Sequence, residues 1–418
     1  PCKIQIAPAP AAGNSAGAFF QGEKGNGMEN FVFHTPTKFY FGRDTHLKAG
    51  ELLKGAGAKR VLLYYGGGSI LKTGLYGQLT AALEAAGVAY VPLGGVKPNP
   101  DVEFCRETVA FIQKNKLDYI LAVGGGSVID SAKMAALAVG SGADPWDLST
   151  GAAEPKGRLP LGVVLTIAAT GSEGSDSAVL TNEALGWKKG LSSPYNRPDF
   201  AILNPELTYT LPPYQTAAGI TDIMMHTCER YVSLNGPDLL LDGMAEALLR
   251  AVIQAGRKAM AEPRDYDARA TLMWAGMLSH NGLMGTGRKY FMAAHRLQHE
   301  LSAMNPHVAH GAGLAVIWPA YLKYIYQYDL PRFVQYAVGI WGCEADDHHP
   351  EATALAGIRQ TEAYFREIGM PTRLGELGFD ESHIPALARG CSRDGTLVLP
   401  SLIPLDREKM EAIYRLAL

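Results

Sequence analysis

From Lys38 to about Thr208 the sequence alternates short β-branched or aromatic runs with longer segments of helical periodicity. That alternation constrains the fold more than any other feature. Parallel neighbours cannot be joined by a tight turn, so strand, helix and strand in succession predict a parallel sheet with crossover helices. The candidate strands are KFYFG at Lys38, RVLLYYG at Arg60, AYVPLGG at Ala89, DYILAVGGG at Asp118 and PLGVVLTI at Pro160. Between them GLYGQLTAALEAAG and DVEFCRETVAFIQKNK carry helical spacing. After LPP at Leu211 the texture changes to long Ala-, Leu- and Met-rich stretches with few strand signals. The expectation is a doubly wound, Rossmann-like α/β domain over residues 28–208 and an all-α domain over 209–418. The cleft between the two is the default place for a ligand.

Length and composition fit that division. A chain of 418 residues holds two or three domains, and 47% hydrophobic with 19% charged residues leaves ample material for their cores. The 38 basic and 41 acidic residues give a net charge of −3 without any long run of one sign, so neither nucleic acid nor an anionic membrane is implied as a partner. No stretch approaches the apolar length of a transmembrane helix. Cys2, Cys105, Cys228, Cys343 and Cys391 are scattered without CxxC spacing, which suits a reducing cytoplasm. Residues 1–27 are rich in Ala, Gly and Pro without periodicity, and read as a disordered, appended leader ahead of MENFVFHTPTKFYFG.

Two turns in the first half repeat the tetrapeptide GGGS, Gly66 to Ser69 after RVLLYY and Gly124 to Ser127 after DYILAV. Glycine lets a backbone approach a phosphate closely, and the free amides opening the next helix favour an anion there. The blander reading is a pair of tight βα turns. Neither copy matches GxGxxG, so a nicotinamide cofactor would need a variant of the usual arrangement.

Chemistry of another kind is concentrated in the second half, in DIMMH at Asp222 to His226 and HRLQHELSAMNPHVAH at His295 to His310. On helices, Asp222 with His226 and His295 with His299 would each project from one face. Imidazole nitrogens and a carboxylate with one position left open are what a mononuclear Fe²⁺ or Zn²⁺ site requires, and Asp222, His226, His295 and His310 could supply them. There is no HExxH, and spacing alone leaves ordinary solvated helix faces as the alternative.

Together GGGSVIDSAK at Gly124, TIAATGSEGS at Thr166, GITDIMMHTCE at Gly219 and HRLQHELSAM followed by AHGAGLA make the chain, from Met28 to its C-terminus, resemble the iron-dependent (group III) alcohol dehydrogenases. The resemblance is strongest to their NADP-linked butanol dehydrogenase and broad-range aldehyde reductase branch, and it implies the architecture shared with dehydroquinate synthase. It also implies Asp222, His226, His295 and His310 as metal ligands, Fe²⁺ before Zn²⁺, with His299 beside substrate and nicotinamide. This sequence carries one residue more than is usual between the last two ligands and an additional His307. His310 is preferred because it precedes the Gly-rich continuation GAGLA. His280, His348 and His349 fall outside the motifs and read as surface or packing residues.

The same resemblance places Gly124, Gly125, Gly126, Ser127 and Val128, with Asp130 and Lys133, at the cofactor pyrophosphate. Asn99, Thr166, Thr170 and Lys188 are further contacts, with Lys189 the alternative to Lys188 if the register slips by one. NAD-preferring relatives tend to carry an Asp in the earlier turn. Gly66, Gly67, Gly68 and Ser69, followed by Lys72, imply NADP(H) instead. The implied activity is hydride transfer between nicotinamide and a metal-bound aldehyde or alcohol, with His299 carrying the proton and Glu229 and Glu300 supporting ligand imidazoles. The alternatives are a polyol dehydrogenase or a dehydroquinate synthase-like lyase. A homodimer is expected by analogy, with KFYFG as an edge for pairing.

Overall fold

The structure, a computed structural model, describes residues 27–418. The leader reading concerns residues 1–27, of which 1–26 lie outside the described residues. The first half runs β1 (Lys38–Phe41), α1 (Ala49–Gly55), β2 (Arg60–Gly66), α2 (Ser69–Lys72), α3 (Leu75–Ala86), β3 (Ala89–Val96), α4 (Val102–Asn115), β4 (Tyr119–Gly124), α5 (Gly126–Ser141), α6 (Pro145–Thr150), β5 (Leu161–Leu165), β6 (Ser177–Asn182), β7 (Trp187–Ser192) and β8 (Phe200–Leu203). The second half is helical: α7 (Pro213–Tyr231), α8 (Leu239–Ala261), α9 (Tyr266–His280), α10 (Ala293–Met304), α11 (His310–Ile325), α12 (Leu330–Trp341), α13 (Pro350–Glu367), α14 (Ile384–Cys391) and α15 (Arg407–Leu416). Only an isolated bridge between Leu399 and Leu405 interrupts this texture among the described residues.

Six strands form one parallel sheet in the order β1-β8-β5-β4-β2-β3. The inner strands β4, β5 and β8 are buried along their whole length, which is why they read as continuous apolar runs rather than alternating ones. From β2 the chain moves outward to β3, and from β4 it moves the other way to β5. The order therefore reverses between β2 and β4, and a crevice opens beyond their carboxyl ends, the place where such sheets take ligands. The turn after β2 is Gly66 to Ser69 and the turn after β4 is Gly124 to Ser127, so the two repeated tetrapeptides stand side by side there.

Three strands were not foreseen. β8 is only four residues long and enters the sheet between β1 and β5. β6 and β7 form an antiparallel hairpin outside the sheet, held to the loop after β3 where the Thr181 amide donates to the Pro100 carbonyl at 2.8 Å. No helix of the described residues is long and apolar enough to cross a membrane.

Candidate metal centre and cofactor cleft

Helix α7 carries Asp222, His226 and Glu229, spaced by four and then three residues, so all three lie on one buried stripe. That stripe meets His295 on α10 and His310 at the first position of α11. Asp222 Oδ1 is the point of convergence. It stands 3.6 Å from His226 Nδ1, 3.6 Å from His295 Nε2 and 3.6 Å from His310 Nε2. Ligand atoms of Asp222, His295 and His310 all lie within 4.8 Å of one another, and His226 joins the group through Asp222 and through its ring, whose centroid is 4.7 Å from that of His295.

The hydrogen-bond pattern is that of a site for a cation. Asp222 Oδ1, His226 Nδ1 and His295 Nε2 are buried with no partner among the described residues. Leaving a buried charged acceptor unmet costs several kcal/mol, on the order of 3 or more, so a divalent metal is the natural complement. The neighbouring side chains leave the right atoms free. Glu229 Oε2 accepts from His295 Nδ1 and Glu229 Oε1 from the Ala294 amide at 2.8 Å, which turns His295 Nε2 inward. Gln298 Oε1 accepts from His310 Nδ1 and its Nε2 donates to Ser302 Oγ at 2.7 Å, which does the same for His310.

Burial, reinforced by the surrounding cations and imidazoles, holds His226 and His310 well below the usual histidine range, in the neutral form that a ligand needs. Burial also disfavours a charge on His295, but the Glu229 and Asp222 carboxylates outweigh it and raise this residue to about 9. The site's demand for positive charge falls on that ring.

The glycines around this cluster bear on which of His307 and His310 reaches it. A Cβ on Gly311 would stand 2.0 Å from the Ala218 carbonyl oxygen, and one on Gly313 would stand 2.8 Å from Gln298 Cγ. The first turn of α11 therefore lies directly on α7 and on the residue that orients His310. His307 is exposed in the preceding loop, its amide bonded to Asn305 Oδ1, and it takes no part.

At the sheet end, the turn after β4 is closely fitted to the segment Thr166 to Thr170. A Cβ on Gly124 would meet Val128 at 2.6 Å, one on Gly125 would meet Ile167 at 2.2 Å, and one on Gly126 would meet Thr170 at 2.5 Å. The Thr166 amide donates to the Gly124 carbonyl at 3.0 Å. This glycine cradle at the opening of α5, with its first amides unused by the helix, is a fit for a pyrophosphate. The turn after β2 is looser: Gly67 has open space where a Cβ would stand, Gly68 has φ +100°, and Ser69 and Lys72 are exposed.

Other expected contacts divide. Lys188 on β7 donates to Asn99 Oδ1 at 3.0 Å, and burial lowers it to about 8. Lys189 lies instead 5.4 Å from the Trp187 ring, so Lys188 is the one beside the cleft. Asp130 accepts from Ser172 Oγ at 2.6 Å and from the Val179 amide at 3.1 Å, tying α5 to the TIAATGSEGS turn and to β6. Lys133 requires correction as a pyrophosphate contact. Its side chain is buried and its ammonium donates to Ser175 and Ser177 carbonyls at 3.1 and 2.9 Å, so no donor faces the cleft. Its neighbours made it look like part of the motif, but it stitches α5 to β6.

His299 stands with its ring centroid 5.7 Å from that of His310, and burial followed by the Lys188 charge holds it neutral. Glu229 supports a ligand as expected. Glu300 does not: it packs against Gly390, where burial raises it to about 7. His348 and His349 are exposed. Two members of the site escaped the sequence reading. Gln298 has only one signal, a polar residue at an inward position between Leu297 and Leu301. His280, expected as a surface or packing residue, is a packing one whose partner was not foreseen: its ring stacks on that of His226 with centroids 4.0 Å apart.

Comparison with known proteins places this arrangement. The family model for iron-containing alcohol dehydrogenase matches residues 36–205, and that for the Fe-containing alcohol dehydrogenase family, C-terminal, matches 216–418. The chain belongs to the iron-containing alcohol dehydrogenase family, whose metal-dependent, NAD(P)H-linked alcohol and aldehyde chemistry suits the site just described. It is 38% identical to NADH-dependent butanol dehydrogenase A of Clostridium acetobutylicum over 389 residues, covering 93% of this chain and 99% of the relative. It is also 38% identical to the NADPH-dependent aldehyde reductase YqhD of Escherichia coli over 394 residues, covering 93% and 100%. Among solved structures, NADH-dependent butanol dehydrogenase A from Thermotoga maritima superposes with a TM-score of 0.90 at 38% identity, covering 94% of this chain and 100% of that one.

Proposed function

We propose that this chain is an NADP(H)-dependent alcohol dehydrogenase and aldehyde reductase acting on primary alcohols and aldehydes of the butanol and butanal type. Asp222, His226, His295 and His310 hold its metal, Fe²⁺ in preference to Zn²⁺. The observation that carries this reading is the convergence of three imidazole nitrogens on one buried, unpartnered carboxylate oxygen. When bound, the metal supplies Lewis acidity toward the substrate oxygen and the nicotinamide supplies or accepts the hydride.

The chain's own residues do the rest. Glu229 and Gln298 fix the rings of His295 and His310 with Nε2 inward. His299, neutral and next to His310, takes or gives the proton that accompanies the reaction. Gly124 to Val128 with Thr166 and Thr170 would cradle the dinucleotide, Asp130 braces that cradle, and Lys188, bonded to Asn99, would be a further contact with the cofactor. The 28–208 unit thus holds the cofactor and the 209–418 unit the metal.

The relatives named above are split between NADH and NADPH at equal identity, so the preference for NADP(H) rests on the acid-free turn at Gly66 to Ser69 with Lys72 at its rim. A homodimer is part of this reading. β1 is an edge of the six-stranded sheet, and Phe31, Val32 and Phe33 just before it are exposed. Cys105, Cys228, Cys343 and Cys391 are all unpaired, which supports a cytoplasmic setting. The test is steady-state kinetics with butanal, longer aldehydes, glycerol-type polyols and their alcohols against NADPH and NADH. Metal-dependent reduction of butanal with NADPH preferred is expected. Activity confined to polyols, or none on any aldehyde, would contradict the proposal.

A further inference from the structure

His280 ends α9, and it touches both His226 at the metal end and the Thr170 turn at the cofactor end. One ring face lies on His226, with centroids 4.0 Å apart and planes 25° from parallel. Its Nδ1 is 2.7 Å from the Thr170 carbonyl, which can only accept, so Nδ1 carries the proton. Its Nε2 is left to accept from Ser177 Oγ at 3.4 Å.

The backbone around it is fitted just as closely. Gly171 has φ +64°, and a Cβ there would stand 2.4 Å from the Gly276 carbonyl oxygen and 2.9 Å from His280 Cβ. On the other side a Cβ on Gly219 would stand 2.3 Å from the Ala168 carbonyl oxygen. The Thr166 to Thr170 segment is therefore wedged between α7, which carries two ligands, and the end of α9. His226 turns Nδ1 rather than Nε2 toward Asp222, and whereas the outer nitrogens of His295 and His310 are each tied by a hydrogen bond, the His226 ring is held by a face, with no hydrogen bond at its outer Nε2 among the described residues.

We infer that His280 is a positioning residue that fixes the plane of His226 with its ring and the Thr170 turn with its N–H, and so supports metal retention and the seating of the cofactor through two separate contacts. The inference rests on the reading of Asp222, His226, His295 and His310 as a metal centre. Ligand imidazoles need such support, and removing an outer partner typically costs about 10–100-fold in metal affinity. The two contacts of His280 can be separated by substitution. His280→Asn keeps a donor near Thr170 and loses the ring, whereas His280→Phe keeps the ring and loses the donor.

The experiment loads wild type and both variants with Fe²⁺ or Zn²⁺. It then measures metal release to a chromogenic chelator and, separately, NADPH and NADH affinity by fluorescence, with the melting temperature of each metal-free protein as the check on folding. His280→Asn should release metal about tenfold faster or more while keeping cofactor affinity within about twofold. His280→Phe should hold metal within about threefold of wild type and bind cofactor about fivefold more weakly, the worth of one hydrogen bond. Unchanged metal release in His280→Asn overturns the inference. So does parallel loss of metal and cofactor in both variants in step with a fall in melting temperature. If wild type itself takes up no metal, the metal-centre reading falls first, and the two failures are thereby told apart.

Discussion

The two ends of the cleft are built to different tolerances. At the metal end Asp222, His226 and His295 are buried, three nitrogens stand 3.6 Å from one oxygen, and glycines press α11 onto α7, which brings His310 rather than His307 to Asp222. At the turn after β2 the backbone opens to solvent, with space beside Gly67 and the Lys72 side chain exposed. The first end has one solution and the second has several. On the proposed reading the difference separates two properties of the enzyme, with metal chemistry in the packed helical core and cofactor phosphate preference on a permissive loop.

Removing a donor at the packed end should therefore have the largest effect. Asp222→Ala or His310→Ala is expected to lower metal affinity by at least about 100-fold, given how dearly an unpaired buried charge is held, and to abolish aldehyde reduction with it. His307→Ala should leave both within about twofold, because the ring is exposed and contacts none of the ligands. Metal analysis after gel filtration measures this. Metal loss in His307→Ala but not in His310→Ala would reverse the assignment.

A smaller effect is expected at the permissive end. Gly67→Asp places a carboxylate in open space and should repel a 2′-phosphate by about 1–3 kcal/mol, moving the NADPH to NADH ratio of kcat/KM by about ten- to a hundredfold. Gly68 is unsuitable for the same change, since φ +100° strains any side chain. An unmodified enzyme already faster with NADH would remove the basis for this prediction.

The smallest effect concerns stability rather than chemistry. Glu173, in the turn beside the cradle, is buried with Oε2 unpartnered, and burial raises its carboxyl to about 7. A folded-state value above the unfolded one means that the folded chain holds the proton more tightly. The stabilisation is complete below about pH 4.5 and is lost as pH rises through about 7. Glu173→Gln mimics the protonated group, so it should melt a few degrees higher than wild type at pH 8 and at about the same temperature at pH 5. Equal melting at both pH values would mean that Glu173 finds a partner when charged.

The same contrast governs what could be read without a structure. RVLLYYG and DYILAVGGG were legible as strands because parallel strands covered on both faces are uninterrupted apolar runs. The β6–β7 hairpin was not legible: it lies outside the sheet, and WKKGLS carries charges where a buried strand would not. β8 is a four-residue strand whose place depends on β1 and β5 rather than on its own pattern. The four residues proposed as ligands, which the structure brings together, were visible through motifs. Their supports were less so, because Gln298 reaches His310 and His280 reaches His226 across helix contacts that no local spacing encodes. Lys133 shows the converse, a motif residue whose side chain the fold turns away.

The central claim is that one metal sits where Asp222, His226, His295 and His310 meet. Anomalous diffraction from crystals grown with Fe²⁺ or Zn²⁺ tests it most directly. The account predicts a single strong peak per chain, within bonding distance of Asp222 Oδ1 and of the three imidazoles, with His307 remote from it. A peak ligated by His307 instead of His310, or none at Asp222 in metal-loaded and active protein, would contradict it.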